Sequence, residues 1–176
     1  MRNLADSAYA WFVLLSFSAL FFLVTAATFT SLGVVLQDMV NELGWSWTAA
    51  GFGFTVLGIS TGLSSAFPAL VIRKLGVRVT ILVGTALLTT AFLLLFQVES
   101  VLVYFIAAAM AGTGHSFVST LPGTYMIARN FKRQSTAFGI YFTIGGLGGV
   151  VGPLIYFTAV GVWDEWRMHW MLVAVA

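Results

Sequence analysis

The charged residues of this chain lie in short gaps between long apolar runs, and their sign alternates from one gap to the next. From Arg2 to Arg167, every Asp, Glu, Lys and Arg lies between runs or, as Arg78 does, at the very start of one. The successive gaps after the first run hold Asp38 and Glu42; then Arg73, Lys74 and Arg78; then Glu99; then Arg129, Lys132 and Arg133; and then Asp164 and Glu165. In membrane proteins, Lys and Arg concentrate in cytoplasmic loops, which occur at every second gap. The charge pattern therefore predicts a chain that crosses a bilayer repeatedly.

Composition supports this prediction and excludes several other classes of protein. The chain is 60% hydrophobic and 8% charged, with a mean hydropathy of +0.99, whereas soluble domains carry about 25% charged residues. It has no cysteine, which excludes disulfides and thiolate metal sites. The net charge is only +2 and the basic residues flank apolar runs, so we expect no nucleic-acid partner. The fold class predicted is all-α, a polytopic transmembrane helical bundle.

The apolar runs predict five full spans and the start of a sixth, because about 20 apolar residues cross a hydrocarbon layer of about 30 Å. We expect one domain, residues 1–176, with the sixth helix truncated, since its nine residues rise only about 14 Å. A cleaved signal peptide is the alternative for the first run, but four more spans follow it. The predicted helices are about 11–36, 49–72, 77–96, 101–127, 136–162 and 168–176.

The distribution of Lys and Arg predicts the orientation. Seven of the eight basic residues lie at the N-terminus or in the second and fourth gaps, and only Arg167 lies on the other side. We therefore expect an integral protein of the plasma (cytoplasmic or inner) membrane with a cytoplasmic N-terminus. Four tryptophans fall at the outer ends, where amphipathic rings favour the headgroup level; they are Trp45, Trp47, Trp163 and Trp166.

Small residues four apart predict where helices pack closely, because backbones approach each other at Gly and Ala in lipid. Such pairs occur in the second, fourth and fifth runs: Gly58 and Gly62; Ala108 and Gly112; Gly145 and Gly149; Gly148 and Gly152. The third run has only Gly84, so we expect that helix to be more peripheral and lipid-facing. Bends are expected near the three prolines, which are Pro68, Pro122 and Pro153.

The candidate substrate site is polar and lies on the first and fourth runs. His115 is midway along the fourth run with Ser119 one turn further on, and an ionisable group within a membrane suggests function. Thr25, Thr28 and Thr30 of the first run are candidates to line the same cavity. The alternatives are a structural imidazole bonded to a neighbouring helix, and threonines bonded to their own helix carbonyls. The sequence has no carboxylate pair, metal-ligand spacing or nucleophile motif, so we expect neither an enzyme nor a cofactor.

Several short motifs resemble one transporter family when taken in order. The sequence from Asp6 to Trp11 is similar to an acidic–Gly–Gly–aromatic–Gly–Trp entry motif, and the one from Arg73 to Arg78 lies where a small–x–x–x–Asp–Arg–x–Gly–x–Arg loop motif belongs. The spacing of Gly139, Gly148, Gly152 and Pro153 resembles an antiporter-type motif of the fifth helix. The chain thus resembles the N-terminal half of a major facilitator superfamily transporter, most nearly the monocarboxylate transporter and oxalate–formate antiporter branch.

The chain departs from the family patterns at positions that bear on function. Arg73 occupies the acidic position of the loop motif, while Lys74, Gly76 and Arg78 match it, and the resemblance assigns these residues to the inner gate. Thr30 replaces the helix 1 lysine of proton-linked monocarboxylate carriers. Ala108 replaces the arginine that proton antiporters have in helix 4. Tyr156 replaces the last glycine of the helix 5 motif.

The resemblance implies a twelve-helix carrier in which two six-helix bundles rock about a midplane site. Helices 1, 4 and 5 would line the cavity, helix 3 would lie outside, and a C-terminal six-helix bundle would supply the other half of the site. The implied function is secondary transport of a small organic anion such as a monocarboxylate, by symport or antiport, with H+ as a candidate co-substrate. The alternatives are a carrier of a neutral or cationic solute, and a non-transporting bundle that acts as an assembly or regulatory partner.

Overall fold

In the computed structural model, which describes residues 8–175, every regular element is a helix. Four helices are long and apolar enough to span a membrane, and the bent helix α2 makes a fifth. The predicted all-α transmembrane bundle is therefore confirmed. The helices are α1 (Ala8–Leu43), α2 with its arms Trp47–Ser64 and Ala66–Leu75, α3 (Val77–Phe96), α4 (Val101–Asn130), α5 (Gln134–Trp163) and α6 (Arg167–Val175). Asp6 and Ser7 of the entry motif, and Ala176, lie outside the described residues.

Helix α1 extends beyond the apolar run from which it was predicted. It continues past residue 36 to Leu43, so that Asp38 and Glu42 occupy its last turns, and it ends at Gly44, whose φ is 67°. A residue in the left-handed region commonly terminates a helix, and glycine adopts that region without steric cost. Polar residues thus continue a helix whose apolar part is long enough to cross a bilayer.

Two of the three prolines coincide with irregular backbone. Pro68 follows the break at Ser65, where the arms of α2 meet at 44°, and Pro122 follows a π-helical segment at Ser116–Thr120 in α4. A proline ring clashes with the carbonyl four residues earlier and removes a backbone donor, which explains a break or a widened turn just before it. Pro153 lies within α5, which remains continuous.

Helices pack mainly in the pairs α1–α5, α2–α4, α3–α4 and α3–α6. Glycines mark the closest approaches. A Cβ on Gly148 would lie 2.2 Å from the Phe22 carbonyl oxygen of α1, and one on Gly112 would lie 2.2 Å from the Leu57 carbonyl oxygen of α2. The expectation that Gly58 and Gly62 form a packing face is wrong within the described residues, because nothing lies within 4 Å of a Cβ at either position.

Helix α3 packs with one face and leaves the other exposed. Its buried residues recur at helical spacing: Thr80, Gly84, Leu88, Ala91, Phe92 and Leu95. Leu82 and Leu93 on the other side are 69% and 45% exposed. The turn that precedes α3 consists of Gly76 alone, with φ 88° and ψ 168°. That conformation is essentially restricted to glycine, so Gly76 permits α2 and α3 to follow each other without a loop.

Candidate transport site

A hydrogen bond joins α1 to α4 near the middle of the bundle. The Oγ1 of Thr28 lies 3.2 Å from the Nδ1 of His115. The His115 side chain is nearly enclosed, with only 5% of the residue exposed. Two aromatic rings of α1 flank the imidazole edge-on, Phe21 with a centroid distance of 6.0 Å and Phe29 with one of 5.1 Å. The structure thus brings together one threonine and the histidine that the sequence singled out.

Both helices contain a π-helical segment at this junction. The segment of α1 is Ala26–Thr30, which includes Thr28, and that of α4 is Ser116–Thr120, which begins immediately after His115. Single π turns widen the helix, leave carbonyls without their usual partners and are frequent at functional sites. Nothing in the apolar pattern of the sequence indicated either segment.

Hydroxyl groups donate to backbone carbonyls in or next to both π-helical segments. Ser31 donates to the Ala26 carbonyl over 2.6 Å, and Ser119 donates to the His115 carbonyl over 2.6 Å. From α5, the Tyr141 hydroxyl donates to the Ser119 carbonyl over 2.8 Å. The Ser119 side chain, which we predicted to bind substrate, therefore donates to the backbone of its own helix.

The shorter hydrogen bond of the Thr28 hydroxyl favours one tautomer of His115. Thr28 donates its single hydroxyl proton to the Val24 carbonyl over 2.7 Å, so its oxygen is an acceptor toward the imidazole. A hydrogen bond at Nδ1 then requires the proton on that nitrogen, and the neutral ring retains a lone pair on Nε2. In the part of the chain that the structure describes, Nε2 has no hydrogen-bond partner. Nε2 is therefore the nitrogen of this imidazole whose lone pair is unused among the described residues.

The other two threonines do not converge on His115. Thr30 faces α5, where its Cβ would lie 2.9 Å from a Cβ placed on Gly152. Thr25 is half-buried, and its hydroxyl has no partner among the described residues. Thr28, rather than the threonine cluster as a whole, forms the candidate site with His115.

The residues assigned to gating and packing occupy distinct places. Gly148 and Gly152 seat α5 against α1, where Cβ atoms would lie 2.2 Å and 2.7 Å from the carbonyl oxygens of Phe22 and Ala26. Pro153 follows directly and is half-buried. Gly139 is exposed, and nothing lies within 4 Å of a Cβ there.

The basic residues of the loop motif are all exposed. Within the described residues, no side-chain hydrogen bond or ion pair involves Arg73, Lys74 or Arg78. They lie at the same end of the bundle as Arg129, Lys132 and Arg133, and we call this the basic end. Arg73 stands where the family motif has an acidic residue, and in the described part of the chain no charge pair forms at this position.

Comparison of the sequence with models of known protein families identifies the family of this chain. The family model described as Major Facilitator Superfamily matches residues 12–176. The chain belongs to this superfamily. No curated protein matches the chain significantly. The superfamily consists of secondary transporters, and the chain is accordingly an integral membrane protein of that class.

At the end opposite the basic end, this superfamily member has a network that the sequence did not reveal. Arg167, at the start of α6, donates to the carbonyls of Phe96 and Val98 over 3.0 Å each and forms an ion pair with Glu42 over 3.1 Å. Its guanidinium also lies 4.6 Å from the ring centre of Trp166. Cations are favoured at helix C-termini, and Phe96 ends α3, which explains the one basic residue outside the basic end among those described.

A second contact of this superfamily member lies one turn further into the bundle. The hydroxyl of Tyr156 in α5 donates to the carboxylate of Asp38 in α1. His169 of α6 is fully buried, with its ring centre 6.1 Å from that of Tyr156. The sequence signal for this cluster was weak, because Asp38 lies beyond the predicted end of the first helix and His169 is only the second residue of the predicted sixth helix.

Proposed function

We propose that the chain forms half of the translocation pathway of a secondary transporter for a small organic anion such as a monocarboxylate. We further propose that His115 binds the anion together with a proton. The observation that carries this proposal is the hydrogen bond from His115 to Thr28, which occupies Nδ1 and leaves Nε2 to interact with a solute.

The chemistry of the two groups links the anion to a proton. A neutral Nε2 with a lone pair is an acceptor, and a carboxylate is also an acceptor only. The two can form a hydrogen bond only when a proton lies between them. A carboxylate therefore binds at Nε2 together with one proton, as an imidazolium–carboxylate pair or as the carboxylic acid. Such a site would carry the anion and H+ together.

The packing of α1 supports movement of the site as part of a rigid body. His115 links α4 to α1, and the glycines of α5 lie against the same stretch of α1, with Gly148 at Phe22 and Gly152 at Ala26. In alternating access, one bundle rocks against the other around a site at the midplane. The three helices that hold this site would move together, and a second six-helix bundle would close it.

Uptake into proteoliposomes tests the proposal, with the protein expressed from its full reading frame. We expect labelled pyruvate, lactate or oxalate to accumulate when an inward proton gradient is imposed. His115→Gln preserves a polar side chain that cannot carry the proton and should abolish the response to the gradient. His169→Gln is the matched control, because it changes the other histidine of the chain and should retain that response.

Three results would contradict the proposal. Uptake of the anions that equals uptake by empty vesicles would exclude the substrate class. An unchanged pH profile in His115→Gln would exclude His115 as the proton site. Uptake of a neutral polyol that does not change with the proton gradient would indicate a carrier of neutral solutes, because a hydroxyl can donate to Nε2 without an additional proton.

A further inference from the structure

A crevice opens on the side of the bundle at the basic end, away from the His115 junction. It lies between the first turns of α1, the α2–α3 turn and the last part of α4, and its volume is about 470 Å³. The lining is mostly apolar and includes Phe12, Val13, Phe17, Ile81 and Met126. Phe12 is 69% exposed, so the crevice is open to whatever surrounds the protein at this level.

One cation lines this apolar crevice without a counter-ion. Arg78 is exposed and has no hydrogen bond or ion pair among the described residues. The described carboxylates lie at the opposite end, in the last turns of α1 and in the α3–α4 and α5–α6 connections. Lys74 is only four residues before Arg78 and is likewise exposed. No group of the described chain neutralises this positive charge.

The combination of an apolar cleft and an unpaired cation fits one class of molecule present around a membrane protein. A phospholipid has an acyl chain that packs against apolar side chains and a phosphate that pairs with a cation. Basic pockets between transmembrane helices on the cytoplasmic side bind anionic headgroups. A free phosphate would gain nothing from Phe12 or Ile81, and a zwitterionic lipid would add its own cation to the cluster. We propose that this crevice binds an anionic phospholipid, with its phosphate on Arg78 and an acyl chain along Phe12 and Ile81.

Lipid binding to the purified protein tests the site. The chain in detergent is titrated with phosphatidylglycerol or phosphatidylcholine, and bound lipid is counted by native mass spectrometry. We expect phosphatidylglycerol to bind more tightly than phosphatidylcholine. Arg78→Gln should weaken phosphatidylglycerol binding about fivefold, the typical contribution of one basic residue near an anionic lipid. Lys132→Gln is the matched control, since it removes one exposed charge from the same end without lining the crevice, and should change binding less than twofold.

A second variant tests the crevice itself without altering charge. Ser16 is half-buried and lines the crevice, so Ser16→Phe should fill the space and reduce phosphatidylglycerol binding while Arg78 remains. Equal losses in Arg78→Gln and Lys132→Gln would overturn the proposal in favour of diffuse attraction by the basic end. Unchanged binding in Ser16→Phe, or equal binding of the two lipids, would also overturn it. None of these readouts depends on transport, so the proposed function can fail while this site stands.

Discussion

Gly148→Ala is the smallest change that tests how α5 packs on α1. A Cβ at residue 148 would lie 2.2 Å from the carbonyl oxygen of Phe22 and 3.2 Å from the backbone nitrogen of Ala26. Both neighbours are backbone atoms, which cannot move aside as the end of a flexible side chain can. The two helices must therefore separate locally, or α5 must rotate, before the extra methyl group is accommodated.

The distances set the magnitude of the effect. Ordinary contact for a Cβ begins at 3.4 Å, so the oxygen at 2.2 Å must move by about 1.2 Å. Such a shift disturbs packing along the α1–α5 interface, including Gly145 against Phe21 and Gly152 against Ala26. Overpacking of a well-packed interior typically costs about 1–3 kcal/mol. We expect Gly148→Ala to lower the free energy of unfolding by that amount.

Gly146→Ala provides the matched control on the same helix. Gly146 is exposed, and nothing lies within 4 Å of a Cβ there. Replacing glycine with alanine in a helix should be neutral or stabilising by up to about 1 kcal/mol. The assay is reversible unfolding in mixed micelles with increasing dodecyl sulfate, followed by circular dichroism. If Gly148→Ala proves as stable as Gly146→Ala, the close approach of α5 to α1 is refuted.

Three further substitutions test separate parts of the structure by the same unfolding assay. Gly76→Ala places a side chain at φ 88° and ψ 168° and should cost about 1–3 kcal/mol; an unaffected stability would mean that the turn adopts another conformation. Tyr156→Phe removes the donor to Asp38 and should cost about 1 kcal/mol, and a gain in stability would argue against this contact. Arg167→Gln leaves two carbonyls without their donor and should cost about 1–3 kcal/mol. Its control is Lys132→Gln, because Lys132 is exposed and has no ion pair among the described residues, and this change should alter stability by less than about 0.5 kcal/mol. Similar effects of the two substitutions would exclude a structural role for Arg167.

The spans were predictable because bilayer thickness and charge placement act on every segment alike. An apolar run that is long enough to cross the bilayer must form a helix, because its backbone polar groups have no water to bind there and must pair within the segment. The third helix illustrates this, since residues 77–96 were predicted and Val77–Phe96 is found. Helix α1 is longer than predicted, because polar residues end a membrane crossing but need not end a helix. Asp38 and Glu42 are still helical.

The partners of each helix face were not predictable from spacing alone. Gly58 and Gly62 have the same four-residue spacing as Gly148 and Gly152, yet the first pair faces open space and the second faces α1. A spacing of four places small residues on one face, but it does not say which helix lies opposite. The hydrogen bond between Thr28 and His115 likewise joins positions 87 residues apart, and local spacing does not relate such positions.

The alternation of charge across the bilayer is the claim on which the account depends, and cysteine accessibility measures it most directly. The sequence has no native cysteine, so Gln97→Cys and Ser135→Cys each introduce a single thiol at an exposed position without changing any charge. In intact cells, we expect a membrane-impermeant maleimide to label the thiol at position 97, and to label that at position 135 only after permeabilisation. Labelling of both thiols from the same side of the membrane would contradict the account.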